Sequence, residues 1–124
     1  MNRRRKAHRR GQWGEMVARW WLRLKGYAIL AHGYRSGRGS GAGEVDIVAR
    51  RGDVVVFVEV KTRARLDQAA EALGGDQRRR IARAPAAFMA ARPRLARCAW
   101  RFDVVLVAPG RWPRHIVDAW RMDA

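Results

Sequence analysis

The sequence predicts a layered domain of helices and strands, of the α/β or α+β class, in the order helix, three strands, helix, strand. Three observations predict it. Apolar side chains recur at helical spacing over residues 12–25, two strand patterns flank a two-residue turn within residues 44–62, and a buried-strand pattern covers residues 100–107. The chain has 124 residues, of which 48% are apolar, which is the size and composition of one domain with its own core.

The first predicted element is a helix over residues 12–25, which ends at Gly26. At helical spacing, its core-facing stripe consists of Trp13, Met16, Val17, Trp20 and Leu24. Residues 1–10 are strongly basic, and we interpret them as an N-terminal arm outside a single main domain of residues 11–124. The arm either contacts phosphate or is a solvated tail.

Three strand patterns form the middle of the chain. Residues 27–34 alternate loosely between polar and apolar side chains, and a glycine-rich loop at 36–43 follows them. Residues 44–50 and 54–62 are strand patterns that enclose Gly52-Asp53, a favourable two-residue hairpin turn. The sequence therefore predicts a β-hairpin whose turn sets its register.

A second helix is predicted to begin at an Asp76 N-cap and to reach about Ala91. Pro85 lies inside this pattern and should kink or split the helix, because proline removes one backbone donor and clashes with the preceding turn. The residues expected to face the core are Ile81, Ala84 and Phe88.

Two shorter elements complete the chain. Residues 100–107 read as a buried strand in which Asp103 is the single carboxylate, and we expect this aspartate to have a structural role beside an arginine. Residues 115–120 are predicted to add a short last element.

The charge balance indicates polyanionic partners. With 27 basic and 11 acidic residues, the net charge is +16, which attracts nucleic acid first and an anionic membrane surface second. No run of about 20 apolar residues could span a bilayer, and no apolar core of a signal peptide follows the basic start. Cys98 is the single cysteine, which excludes an internal disulfide and a cysteine-rich zinc site. We therefore expect a cytoplasmic protein.

The central hairpin carries the residues that suggest chemistry. Because side chains alternate along a strand, Glu59 and Lys61 share one face, as do Glu44 and Asp46. The register set by the turn places Asp46 opposite Glu59 and Glu44 opposite Lys61, with Cβ atoms about 4.5–5.5 Å apart. The hairpin thus predicts three carboxylates and one ammonium in a single patch.

Such a patch needs a compensating partner, because like charges directly opposite each other destabilise a sheet. One lysine does not neutralise three carboxylates, and their oxygen donors suit a hard cation, Mg²⁺ or Mn²⁺. The alternative is an ion-paired strand surface, in which Lys61 and nearby arginines balance the charge. The apolar run Val54 to Val58 before Glu59 favours the metal site, because charges on a buried strand need paired or metal-bound surroundings.

These residues resemble the PD-(D/E)xK nuclease superfamily, in which Asp46 matches the aspartate and Glu59-Val60-Lys61 matches the (D/E)xK triplet. A closer resemblance, over Gly11 to about Val107, is to the YraN-like family of uncharacterised bacterial endonuclease-like proteins, which itself resembles archaeal Holliday-junction resolvases. The segments that carry it are Gly14-Glu15, Tyr34-Arg35, Gly43-Glu44-Val45-Asp46, Phe57-Val58-Glu59-Val60-Lys61-Thr62-Arg63, Arg79-Arg80-Ile81 and Arg101-Phe102-Asp103-Val104-Val105.

The resemblance implies an α/β, restriction-endonuclease-like fold with an αβββαβ core, in which helices flank a central mixed sheet. It also implies a metal-dependent endonuclease that hydrolyses phosphodiester bonds, with structure-specific DNA as one candidate substrate. The implied catalytic residues are Asp46, Glu59, Lys61 and Glu44. The implied metal ligands, for Mg²⁺ or Mn²⁺, are Asp46, Glu59, Val60 through its carbonyl, and Glu15. The implied nucleic-acid contacts are Arg35, Arg63, Arg78, Arg79 and Arg80.

Two other functions stay open at this point. One is a non-catalytic nucleic-acid-binding module that keeps the nuclease fold, and the other is an interaction protein that uses its basic surface alone. As partners we expect nucleic acid, with DNA favoured over RNA, and no membrane. The resolvase resemblance adds a homodimer as an option that no residue of this sequence establishes.

Overall fold

The computed structural model describes residues 3–36, 43–64 and 83–120. In chain order, the elements are helix α1 at Arg3–Leu24, strands β1 at Ala28–Ser36, β2 at Gly43–Arg51 and β3 at Val54–Thr62, helix α2 at Arg83–Ala90, a 3-10 helix at Pro93–Leu95, and strands β4 at Ala99–Val107 and β5 at Arg114–Trp120. The predicted Asp76 cap and most of the glycine-rich loop lie outside the described residues. Within them, no helix is both long and apolar enough to cross a membrane.

The five strands form one mixed sheet in the order β1-β2-β3-β4-β5. Neighbouring strands are antiparallel except for β3 and β4, which are parallel. Ala18 and Leu22 of α1 pack with Val58 on one apolar cluster, and Phe88 of α2 packs with Phe57 on another. Since Phe57 and Val58 are consecutive on β3, the two helices cover opposite faces of the sheet. The predicted α/β class, with a mixed sheet flanked by helices, is confirmed.

The central hairpin has the predicted register. Arg51 pairs with Val54, and the pairing continues to Ile47 opposite Val58. Gly52 has φ 60°, the conformation that a II′ hairpin turn requires at its first central residue. The predicted strand at 100–107 and the short last element are also present, as β4 and β5.

The buried face of α1 differs from the predicted stripe. Gly14, Ala18 and Leu22 are buried, at a spacing of four residues. A Cβ at Gly14 would overlap the Thr62 hydroxyl and lie 2.9 Å from the Thr62 Cβ. The helix therefore lies so close to β3 that a tryptophan side chain, as predicted for this face, would not fit between them. Four members of the predicted stripe are exposed instead: Trp13 by 37%, Met16 by 54%, Trp20 by 61% and Leu24 by 61%.

The N-terminal boundary of α1 also differs from the prediction. The helix spans Arg3–Leu24, so it extends beyond the predicted start at Gln12 and includes residues 3–10. That these residues form an arm outside the main domain stays a prediction. Helix-favouring arginine and lysine side chains fill this segment, which explains how the helix extends without a core-facing pattern.

The described part of the second helix agrees with the predicted core positions. Ala84 and Phe88 are fully buried, whereas Ile81 lies outside the described residues. Within the described part of the chain, α2 spans Arg83–Ala90 and includes Pro85. The helix continues from Pro85 to Ala90, and the predicted stretch before Arg83 lies outside the described residues.

Asp103 has the structural role predicted for it. It is fully buried and accepts hydrogen bonds from Arg101 at 2.8 and 3.1 Å and from the Asp118 backbone N–H at 3.0 Å. His115 Nε2 lies 2.7 Å from the same carboxylate. Although burial acts in the opposite direction, the hydrogen bonds from His115, Arg101 and Asp118 hold the pKa of Asp103 below its usual value. This carboxylate therefore ties β4 to β5.

We predict that Gly14→Ala lowers the free energy of unfolding by about 1–3 kcal/mol, because the added methyl group forces α1 away from Thr62. Gly11→Ala is the matched control, since a Cβ there has nothing within 4 Å and alanine favours the helix by up to about 1 kcal/mol. Urea denaturation measures both. Equal effects of the two substitutions would contradict the close helix–strand contact.

Candidate functional site

The candidate site lies where β2 separates from β3. The pairing of these strands ends at Ile47 opposite Val58. One step further, the Val60 backbone N–H donates a hydrogen bond to Asp46 Oδ2 at 2.8 Å. The aspartate side chain thus takes the place of a backbone partner, which fixes its carboxylate in the fork between the strands.

A cavity of about 390 Å³ opens at this fork. Its walls come from the middle of α1, from β2, and from the carboxyl end of β3 with the residue that follows it. The close contact between Gly14 and Thr62 draws α1 onto the sheet, and Glu15 follows Gly14 directly, so its carboxyl reaches the Asp46 carboxyl and shares a hydrogen bond with it. The lining residues are Gly11, Glu15, Asp46, Glu59, Val60, Thr62 and Arg63.

Lys61 supplies a positive charge beside this cavity. Its Nζ lies 3.4 Å from Glu59 Oε1, and both side chains are 10% exposed. The two residues are neighbours because side chains two apart on a strand share a face, as predicted. A nearly buried ion pair of this kind is weak support for stability, because desolvation offsets most of the attraction between the charges.

The three carboxyl groups at the site, Glu15, Asp46 and Glu59, all have raised pKa values. Burial raises the pKa of Glu15 to about 7 and that of Glu59 to about 8, and the charge of Asp46 adds to both shifts. Burial also raises the pKa of Asp46, against the opposing effect of the Val60 N–H. Glu15 and Glu59 therefore keep their protons up to near neutral pH, because burial and the nearby charge of Asp46 disfavour their ionised forms.

The donor set fits a hard divalent cation. All donors are oxygens, and a cation would replace the protons that the carboxyl groups otherwise hold. Among the side chains that the structure describes, no group of three or more His, Cys, Asp or Glu residues is arranged to hold a metal ion by itself. Mg²⁺ usually takes only one or two carboxylates, with waters and substrate phosphates completing its shell, and Asp46 with Glu59 fits that arrangement.

The structure places the other predicted residues differently. Glu44 pairs with Arg35 on β1, because β2 has left β3 before reaching it, so the predicted pairing of Glu44 with Lys61 is not formed. Glu44 instead lines a smaller cavity of about 130 Å³, which it shares with Asp46 and Tyr34. The Arg35 side chain and the whole of Arg78, Arg79 and Arg80 lie outside what the structure describes.

Two residues that shape the site, Gly14 and Thr62, are not predicted from the sequence to have a role in it. Thr62 lines the cavity and is the contact point for α1, and Gly14 permits that contact. The available signal is Gly14 itself, because a glycine within a helical pattern costs about 1 kcal/mol relative to alanine and therefore indicates a packing requirement.

We predict that the metal-free protein loses stability as pH rises from 4.5, the ordinary pKa of Glu15 and Glu59, to about 8. In this window the folded state holds protons that the unfolded chain has released, so higher pH favours unfolding. Urea denaturation in EDTA at several pH values measures the slope. Saturating Mg²⁺ or Mn²⁺ should reduce it.

Glu59→Gln should flatten this pH dependence, because it removes one of the two strongly shifted groups while keeping the side-chain shape. Asp53→Asn, at the exposed hairpin turn, is the matched control and should keep the wild-type slope. If Glu59→Gln and Asp53→Asn give the same slope as the wild type, the carboxyl groups are not coupled as described.

Comparison with known proteins places the chain in a family. The model of the uncharacterised protein family UPF0102 matches residues 14–107, a range that includes Glu15, Asp46, Glu59 and Lys61. A UPF0102 protein of Paramagnetospirillum magneticum is 69% identical over 117 residues, which cover 94% of this chain and 91% of the relative. UPF0102 proteins of Maricaulis maris and Mesorhizobium japonicum are 48% and 47% identical, over 94% of this chain and 89% and 90% of theirs. The chain therefore belongs to the uncharacterised protein family UPF0102.

Proposed function

We propose that this protein is a divalent-cation-dependent endonuclease that hydrolyses phosphodiester bonds in nucleic acid, with DNA preferred over RNA. The observation that carries the proposal is the convergence of Asp46 and Glu59 on one open cavity, beside the buried ammonium of Lys61. The same three residues match the PD-(D/E)xK pattern. A net charge of +16 supports a polyanionic substrate.

Asp46 and Glu59 would bind Mg²⁺ or Mn²⁺, with Glu15 and the Val60 carbonyl as further candidate ligands. The fixed position of Asp46, held by the Val60 N–H, prepares one ligand before the cation arrives. When bound, the cation would polarise the phosphate and make an attacking water more acidic. Neutral carboxyl groups would release their protons on binding, so the affinity should rise with pH.

Lys61 would act on the developing charge of the reaction. Hydrolysis forms a bond from a water oxygen to phosphorus and breaks the bond from phosphorus to a sugar oxygen, which concentrates negative charge on the phosphate oxygens. An ammonium that is largely buried, as that of Lys61 is, stabilises that charge more strongly than it would in bulk solvent. The neighbouring Glu59 holds the ammonium in place, since its carboxylate lies 3.4 Å away.

Arg63 is the arginine best placed to bind substrate phosphate among the described side chains. It lines the cavity, and its guanidinium donates to the Thr62 carbonyl at 2.7 Å, which orients it and leaves further donors free for a phosphate. Arg35, Arg78, Arg79 and Arg80 stay predictions. The homodimer and the cytoplasmic location also stay predictions.

We predict that Asp46→Asn, Glu59→Gln and Lys61→Met each reduce cleavage at least about a hundredfold while nucleic-acid binding is kept. The first two weaken the ligands of the cation that polarises the phosphate, and the third removes the ammonium that stabilises the developing charge. The assay compares Mg²⁺, Mn²⁺ and EDTA on single-stranded, duplex, flap and four-way-junction DNA and on matched RNA. Asp53→Asn, outside the cavity, is the control and should cleave like the wild type.

Two results would contradict the proposal. Cleavage by Glu59→Gln at the wild-type rate would assign the activity to another site or to a contaminant. Binding without cleavage of any substrate by the wild type would favour the non-catalytic nucleic-acid-binding module.

Salt dependence separates nucleic-acid binding from a general basic interaction protein. For duplex DNA, the logarithm of the binding constant should fall with the logarithm of salt concentration by about 0.9 for each phosphate neutralised. Arg63→Gln should reduce that slope by about one phosphate contact, because Arg63 is the described arginine at the cavity. A flat salt response of the wild type would rule out phosphate recognition.

A further inference from the structure

A turn that contains two prolines presents an exposed tryptophan between β4 and β5. Between β4 and β5, the Arg111 N–H donates to the Ala108 carbonyl at 3.3 Å, and Gly110 has φ 73°. With Pro109 before Gly110, these features define a type II turn, and Pro113 restricts the chain on the other side. The backbone conformation around Trp112 is therefore restricted, although Trp112 itself is 77% exposed.

Trp112 forms one wall of an aromatic cleft of about 520 Å³, whose other walls include Trp13 and Val17 of α1 and Val107 of β4. Its ring also lies against Trp21, with ring centroids 5.7 Å apart and planes inclined by 35°. This support orders the indole and leaves most of its surface open to solvent. A large ordered indole at this exposure is a ready platform for a flat ligand.

The chemistry of the aromatic cleft restricts that ligand. Among the described residues that line the cleft, Arg111 is the single charged one and none is acidic. A suitable ligand therefore combines a flat face that stacks on indole with negative charge nearby. A nucleobase attached to its phosphodiester chain has both properties, and base–aromatic stacking tolerates any base because each has a π-face.

The aromatic cleft lies next to the Asp46–Glu59 cavity. Val107, which lines the cleft, pairs with Thr62, which lines the cavity, and the Arg63 N–H donates to the Val107 carbonyl at 3.1 Å. On α1, Trp13 and Glu15 lie on either side of Gly14 and line the cleft and the cavity respectively. One helix–strand contact thus separates the two, and paired strands are only about 4.8 Å apart.

We propose that the aromatic cleft binds an unpaired nucleobase close in sequence to the phosphodiester bond at the Asp46–Glu59 cavity. The proposal rests on the proposed nuclease function and specifies its substrate as a nucleic acid with an unpaired segment. A base within an intact duplex is stacked on its neighbours and reaches such a cleft only after unstacking, which costs a few kcal/mol. Single-stranded tails, flaps and junction arms provide free bases without that cost.

The test is a binding measurement in EDTA, so that cleavage does not interfere. Fluorescence anisotropy compares labelled oligo(dT) with an oligonucleotide of equal length and charge that carries abasic sites. The wild type should prefer oligo(dT), and Trp112→Ala should lose about 5- to 150-fold in affinity for it, the range of one stacked base. Affinity for the abasic strand should not change, and Trp112→Phe should keep part of the preference.

Trp20→Ala is the matched control, because Trp20 is 61% exposed on α1 but does not line the aromatic cleft. It should bind both strands like the wild type. Sedimentation of each variant tests the other possible occupant, a second copy of this chain. A dimer that Trp112→Ala dissociates, without any change in base preference, would overturn the proposal and assign the cleft to self-association.

The remaining outcomes separate this proposal from the proposed function. Equal affinity of the wild type for oligo(dT) and for the abasic strand would overturn base binding and leave the nuclease proposal standing. A base preference that depends on Trp112, in a protein that cleaves nothing with Mg²⁺ or Mn²⁺, would uphold the cleft as a base site and overturn the nuclease proposal. No binding to either strand would overturn both.

Discussion

The close contact between α1 and β3, where Gly14 lies on Thr62, is the constraint on which both candidate sites depend. A side chain at position 14 would push the helix outward and would withdraw Glu15 from Asp46. The same displacement would move Trp13 away from Val107 on the other side of the contact. The absence of a side chain at Gly14 therefore affects the width of two neighbouring cavities. A glycine within a helix lowers helix stability, but here it allows the contact that positions Trp13 and Glu15.

The fork between β2 and β3 shows how a side chain can replace a strand partner. Backbone donors that are buried without a partner are costly, so a strand that leaves its neighbour must satisfy the donors it exposes. Asp46 does so for Val60, and the same hydrogen bond fixes a carboxylate in the fork. The point where β2 and β3 stop pairing is therefore also the point where Asp46, the candidate metal ligand, is held.

The sequence predicts the sheet better than it predicts the helix faces. The hairpin register follows from a two-residue turn and from the strict alternation of strands, which are local rules, and the structure confirms it from Arg51 to Ile47. The buried face of α1 depends on how closely a helix approaches a strand far away in sequence, and hydrophobic spacing alone favoured the wrong side. The predicted pairing of Glu44 with Lys61 is wrong for the same reason, because no local sequence signal shows where β2 leaves β3.

Asp103 is buried and Asp46 is partly buried, and a comparison of the two shows that burial of an aspartate alone does not create a reactive site. Asp103 receives hydrogen bonds from Arg101 and the Asp118 N–H and lies against His115, and these partners keep its pKa low. Asp46 receives one backbone hydrogen bond but shares its surroundings with two more carboxyl groups, and its pKa is raised. The first aspartate is satisfied by the fold, whereas the second lies among carboxyl groups whose ionised forms burial disfavours. That difference in surroundings, and not the residue type, is why we propose Asp46, and not Asp103, as a residue of the reactive site.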